Sequence, residues 1–304
     1  MADLCLGTVQ FGMNYGINNQ IGRQPTQEES FEMIEYALQN GIKCIDTARA
    51  YGTAELVLGA YIEQNGIPKD VSLISKLRPN VVEEGENDVC GVVRRECEDT
   101  LRRLHIDKLN GYLLHTPEYI YQKEIVDGMV RLKEEGLVEN IGVSIYDIKE
   151  GEYALQTGVV DYIQLPYSIL DQRGMRTGFI PKAKKAGIKI FTRSAFLQGL
   201  ILMDKTKIPA HLSEAVPMIE KYESLVQEYE EDEVRSLIHF VADESDIDYL
   251  VFGVEEKQQL EQNIKKFHEK KMPEELMKEI KKEITNLEQN IIFPSLWSNG
   301  KKAE

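Results

Sequence analysis

The chain has 304 residues, 42% of them hydrophobic and 29% charged, a globular composition that can bury an extensive core and excludes a disordered chain. Thirty-six Lys and Arg against fifty-one Asp and Glu leave a formal charge of -15, which repels phosphate backbones and anionic lipid, so neither nucleic acid nor a membrane is an expected partner. The four cysteines, Cys5, Cys44, Cys90 and Cys97, form no CxxC pair and no metal-like spacing with histidine; no metal site or redox dithiol is expected, and the thiols read as reduced, buried hydrophobes.

A strand-like Leu4-Cys5-Leu6 begins the chain at once and leaves no room for a cleavable leader. No stretch approaches the roughly 20 apolar residues of a membrane span. A cytoplasmic location is therefore the expectation.

Short apolar runs then alternate with longer amphipathic segments, the pattern of parallel strands joined by helical crossovers. The strand candidates are Leu4 to Val9, Lys43 to Asp46, Val71 to Leu77, Leu109 to His115, Asn140 to Ile145, Tyr162 to Pro166, Lys189 to Ser194, and Tyr249 to Val254. Helical patterns lie between them, among them Gln27 to Gln39, Ala54 to Gln64, Asn87 to Leu104 and Ile120 to Glu135. Gly41, Gly66, Gly136, Gly158 and Gly187 each stand where a helix must stop before the next strand.

Eight units predict one closed (β/α)8 TIM barrel, an α/β fold of eight parallel strands with outer helices, over residues 1–304. An open doubly wound sheet would carry a GxGxxG fingerprint after its first strand, and Gly7-Thr8-Val9-Gln10-Phe11-Gly12 lacks that spacing. Met13 to Gln24 reads as a loop after strand one, Ile201 to Pro217 follows strand seven, and a tail from about residue 285 is expected near the barrel mouth, with Trp297 as a hydrophobic anchor. The basic run Lys265 to Lys282 is interleaved with acids at helical spacing and reads as a solvated helix face.

In such barrels the carboxyl ends of the strands carry the chemistry. Strand two ends at Asp46, strand three reaches Lys76, strand four finishes on His115, and Tyr51 sits in the loop after strand two. A phenol of ordinary pKa about 10 is a poor proton shuttle near neutrality. A neighbouring Lys76 ammonium is expected to stabilise the phenolate, with Asp46 holding the lysine charged and His115 bonding the substrate oxygen or the phenol.

Asp46-Thr47-Ala48 followed by Tyr51-Gly52 and Glu55, together with Ile74-Ser75-Lys76 and Tyr112-Leu113-Leu114-His115, resembles the aldo-keto reductase family over nearly the whole chain. The resemblance implies a catalytic tetrad of Asp46, Tyr51, Lys76 and His115. It implies NAD(P)-dependent reduction of an aldehyde or ketone, with hydride from nicotinamide and a proton from Tyr51. On the cofactor side it implies contacts from Gly7, Thr8 and Asp46, from Ser144 and Gln164 to the carboxamide, and from Ser194 and Leu197 in the loop covering the pyrophosphate. Arg193 takes the place of the aromatic that stacks on the nicotinamide, and Ile145 stands where the family commonly has asparagine. Gly253, Val254, Glu255, Gln259 and Asn263 correspond to the adenosine-phosphate site. NADP(H) is the family default; Glu255 would repel a 2'-phosphate unless Lys257 compensates, which keeps NAD(H) open. Small carbonyl compounds such as sugar-derived aldehydes are the expected substrates. Two alternatives are a non-catalytic cofactor-binding barrel and a lyase that forms a Schiff base at Lys76.

Overall fold

The computed structural model describes residues 1–83, 85–285 and 287–297. Eight parallel strands, β1 (Asp3–Gly7), β2 (Cys44–Asp46), β3 (Ser72–Leu77), β4 (Gly111–Leu114), β5 (Ile141–Ser144), β6 (Tyr162–Pro166), β7 (Lys189–Arg193) and β8 (Tyr249–Gly253), pair in sequence order into a closed barrel. Closure runs through β1 and β8, from Asp3 opposite Tyr249 to Gly7 opposite Gly253.

The helices begin and end where local chemistry dictates. Gln27–Gln39 opens on a capping box in which Thr26 accepts from the Glu29 amide and Glu29 reaches back to the Thr26 amide, and Asp147 with Glu150 does the same for Ile148–Thr157. All five glycine stops carry positive φ, between 68° at Gly158 and 85° at Gly187, a backbone state that costs glycine nothing. The segment expected as one helix from Ile120 to Glu135 is instead a 3-10 turn, Pro117–Tyr121, followed by a helix from Lys123 to Glu134. Val9, expected to extend strand one, instead starts the helical turn Val9–Gly12.

Strand side chains alternate with a period of two, so residues i and i+2 face the same way. Inside the barrel, Cys5, Cys44, Ile74, Leu113, Tyr162, Phe191 and Val251 pack into one buried apolar cluster. Two residues further along each of these strands stand Gly7, Asp46, Lys76, His115, Gln164, Arg193 and Gly253. The apolar cluster is thus the floor on which a polar layer rests at the carboxyl end. On β5 the corresponding pair is Gly142 and Ser144, and Gly142 is bare because a Cβ there would lie 2.2 Å from the Tyr162 carbonyl oxygen.

Two loops above this layer touch backbone to backbone. A Cβ on Gly12 would lie 1.7 Å from the Tyr51 carbonyl oxygen, and one on Gly52, at φ +56°, would lie 2.3 Å from the Gly12 carbonyl oxygen. Thr53 N–H also donates to that Gly12 oxygen at 3.2 Å. The β1 turn and the Tyr51 loop are consequently one rigid piece.

The last described residues fold back on the same end. Trp297 is buried and its Nε1–H donates to the Ile291 carbonyl at 3.0 Å, while Phe293 meets the Tyr146 ring at 5.2 Å. The rest of the expected tail, 298–304, lies outside the described residues. No helix among the described residues is long and apolar enough to cross a membrane.

Candidate active site

Beneath the barrel mouth, Lys76 has no solvent exposure and donates to both carboxylate oxygens of Asp46, at 2.7 and 2.6 Å, and to the Thr47 carbonyl at 2.9 Å. Those three bonds use every proton of the ammonium. Behind it, Glu55 ties the next helix to the outer face of β3, accepting from Ser75 Oγ at 2.8 Å, Thr100 Oγ1 at 3.1 Å and Arg103 Nε at 3.1 Å. Burial raises the Glu55 carboxyl pKa despite these donors.

Asp46 also accepts from Gln164 Nε2 at 2.8 Å, and Gln164 Oε1 accepts from Ser144 Oγ at 3.3 Å. The ion pair therefore continues into the two polar residues on β5 and β6 without a gap. Above it, the Tyr51 and His115 rings meet edge to face, with centroids 5.5 Å apart and planes at 87°. Lys76 Nζ lies 5.1 Å from the Tyr51 ring centroid.

The structure thus gathers Asp46, Tyr51, Lys76 and His115, but it assigns the charges differently from the expectation. With its protons spent on Asp46 and Thr47, Lys76 has none left to donate to the phenol oxygen in this resting arrangement. Burial chiefly, and then the Asp46 charge, raise the Tyr51 pKa, and the cation that opposes this is Arg193. The phenol is held protonated. His115 is held neutral: burial, reinforced by Lys76 and Arg193, pushes its pKa down from 6.5 to about 3.

Over these groups lies a cavity of about 540 Å³ that runs from Tyr51 and His115 to Glu255, Gln259 and Asn263. Gly7, Thr8, Asp46, Ser144, Gln164, Arg193, Ser194, Leu197 and Gly253 also line it. One expected catalytic residue and one expected cofactor contact do not line it. Lys76 lies below its wall, and Val254 turns its side chain into the hydrophobic core.

At the far end, Glu255 accepts from the Gln20 amide at 2.9 Å and its own amide donates to Gln259 Oε1 at 2.9 Å. Lys257 does not compensate this carboxylate; its ammonium lies 4.0 Å from Glu32 and 5.6 Å from the Tyr36 ring centroid. The reason is helical geometry, because Lys257 opens the helix Lys257–His268 and faces the neighbouring Gln27–Gln39 helix.

Gln10, Tyr15 and Tyr146 line the cavity as well, although motif reading did not single them out. Gln198 Nε2 donates to Tyr15 Oη at 2.9 Å, closing the β1 loop onto the β7 loop. Among the described residues, the buried atoms Gln10 Oε1 and His115 Nδ1 have no hydrogen-bond partner. Gly7 and Gly253 line the cavity between its ends, and these open polar atoms fit a nicotinamide dinucleotide.

Replacing Lys76 by Met should leave Asp46 as a buried unpaired carboxylate and destabilise the fold by about 3–5 kcal/mol, while adding Asp46→Asn should recover most of the loss. Urea unfolding of the single and double variants decides it; a single variant as stable as the parent would mean that water reaches Asp46. The His115 shift has its own signature. Below the ordinary value of 6.5 the unfolded chain takes up a proton that the native state refuses until about 3, so stability falls with pH across that window. His115→Gln should flatten this fall between neutral pH and about pH 4 in urea unfolding, and an unchanged slope would assign the acid sensitivity to other groups.

The aldo/keto reductase family model matches residues 3–284. The chain is 25% identical to the NADH-specific methylglyoxal reductase of Escherichia coli K12 over 293 residues, 85% of this chain and 87% of that protein. It is 29% identical to the aldo-keto reductase YhdN of Bacillus subtilis over 183 residues, 58% of this chain and 54% of that protein. In fold it resembles the holo form of aldo-keto reductase AKR11C1 from Bacillus halodurans, with a TM-score of 0.76 at 20% identity over 95% of each chain. The glycerol dehydrogenase AKR11B4 of Gluconobacter oxydans gives 0.72 at 19% identity, covering 94% of this chain and 93% of that one. With nearly all of its length inside the family match, the chain belongs to the aldo/keto reductase family and is an NAD(P)H-dependent oxidoreductase.

Proposed function

We propose that this chain reduces a small aldehyde or ketone to an alcohol with Tyr51 as the proton donor. The observation that carries this reading is a single cavity in which Tyr51 and His115 meet edge to face, directly over the buried Lys76–Asp46 pair. A bound nicotinamide supplies the hydride. Gln164 and Ser144 would hold its carboxamide, the Arg193 guanidinium plane would stack on its ring with the N–H donors left free, and Ser194, Leu197, Gly253, Gln259 and Asn263 would hold the remainder.

A carbonyl oxygen seated between Tyr51 Oη and the neutral imidazole gains electron density as it is reduced. A protonated phenol can then give up its proton to that oxygen, and His115 can donate a hydrogen bond without carrying charge. The phenolate that forms is a buried anion, and Lys76, 5.1 Å from the ring centroid, and Arg193 are positive charges in range of it. Asp46 keeps the ammonium in place beneath the ring throughout.

The Schiff-base alternative needs a free, accessible amine, whereas Lys76 is fully buried and triply bonded. A non-catalytic barrel would have no use for a phenol and an imidazole aimed at one another. Tyr51→Phe should therefore lower kcat by about 10²–10⁴ while cofactor affinity persists; turnover that survives the substitution would remove Tyr51 from the reaction.

For the cofactor we infer a preference for NADH. Glu255 is anchored across the far end of the cavity by Gln20 and Gln259, where a carboxylate suits a ribose 2'-hydroxyl and repels a 2'-phosphate. The same preference is in the name of the Escherichia coli relative. Paired fluorescence titrations should find NADH bound at least about tenfold more tightly than NADPH, with Glu255→Ala narrowing the gap; tighter NADPH binding would restore the family default.

A further inference from the structure

Of the arginines in partly buried positions, Arg103 rests on Glu55 at 3.1 Å and Arg173 on Asp171 at 2.7 Å. Arg193 differs. One of its N–H groups goes to the Ile145 carbonyl at 3.2 Å, and its guanidinium carbon sits 4.2 Å from the Tyr146 ring centroid. No carboxylate pairs with it among the described residues. A guanidinium taken partly out of water without a counter-ion is costly, and a fork of five N–H donors matches a carboxylate or phosphate. Four of those donors remain after the bond to Ile145.

The surroundings say which anion it can serve. Arg193 lines the cavity with Tyr51, His115 and Ser295, at the reactive end, and its charge is felt by Tyr15, Tyr51 and His115. The opposite end of the cavity belongs to Glu255, Gln259 and Asn263. Past Tyr146 a side pocket of about 370 Å³ carries Glu118, Asp147 and Glu150, none of them ion-paired among the described residues. An anionic substituent is repelled from that side pocket and is directed back to Arg193.

We infer that Arg193 selects carbonyl substrates that carry a carboxylate or phosphate of their own, binding that anion while the carbonyl oxygen faces Tyr51 and His115. This rests on the reductase reading above and narrows it. A sugar-derived aldehyde then qualifies when it is a sugar acid or a sugar phosphate.

The test compares matched substrates, so that any general effect on folding or cofactor binding cancels. For the parent protein with NADH, kcat/KM for 4-carboxybenzaldehyde should exceed that for the uncharged 4-nitrobenzaldehyde, and Arg193→Gln should reduce this ratio by about tenfold or more, with Arg193→Lys recovering part of it. A ratio that does not change overturns the inference. So does an unchanged ratio accompanied by weaker NADH and NADPH binding, which would give Arg193 to the cofactor's phosphates. Calorimetric titration of the NADH-loaded protein with 4-(hydroxymethyl)benzoate and 4-nitrobenzyl alcohol keeps the two readings apart. If neither aldehyde turns over, the reductase reading fails by itself, while tighter binding of the benzoate that Arg193→Gln abolishes still supports the anion site, and equal binding of the two alcohols overturns it.

Discussion

An ammonium and a carboxylate buried together below a barrel mouth impose conditions on everything around them, because either charge alone would be costly to desolvate. Asp46 meets the condition by accepting both from Lys76 and from Gln164, and Lys76 meets it by donating also to the Thr47 carbonyl. The consequence is that the lysine is not free to hydrogen-bond Tyr51. It acts as a fixed positive charge under the phenol ring, and its influence grows only when negative charge arises there. The neighbouring imidazole feels the same cation and stays neutral. Charge at this site is thus arranged before any ligand arrives, which is the condition for electrostatic stabilisation without reorganisation.

The position of that pair follows from strand periodicity. Cys44 and Ile74 belong to the apolar floor, and two residues later on the same inward face stand Asp46 and Lys76. The same step leads from Tyr162 to Gln164 and from Phe191 to Arg193. This is why a barrel and a polar strand-end layer were legible in the chain: alternation and glycine stops are local signals, and each strand carries its own copy. The helix expected from Ile120 to Glu135 shows the limit of such signals, since its apolar spacing continues through a 3-10 turn that ends in extended backbone at Gln122.

What periodicity could not supply is the pairing of distant loops. Tyr15 and Gln198 are 183 residues apart, and Gln20 and Glu255 are 235 apart; neither pair has a pattern that announces it. Lys257 reads in sequence as a neighbour of Glu255, yet helical geometry sends it to Glu32 and Tyr36 on another helix. Val254 follows an invitingly placed glycine, yet its side chain packs inward. The unpaired state of Arg193 is of the same kind, because a missing counter-ion is a property of assembled space.

The backbone contact between Gly12 and Gly52 has a bearing on how substrate range can diversify in this protein. With no side chain able to intrude there, the segment bearing the phenol is clamped to the start of the barrel and cannot be lengthened or reshaped without dislodging it. Novelty must enter from the opposite rim, through the turns after β5 and β7 and the final residues that carry Phe293, Pro294 and Ser295. An engineer seeking new turnover would graft there and leave the first two loops untouched.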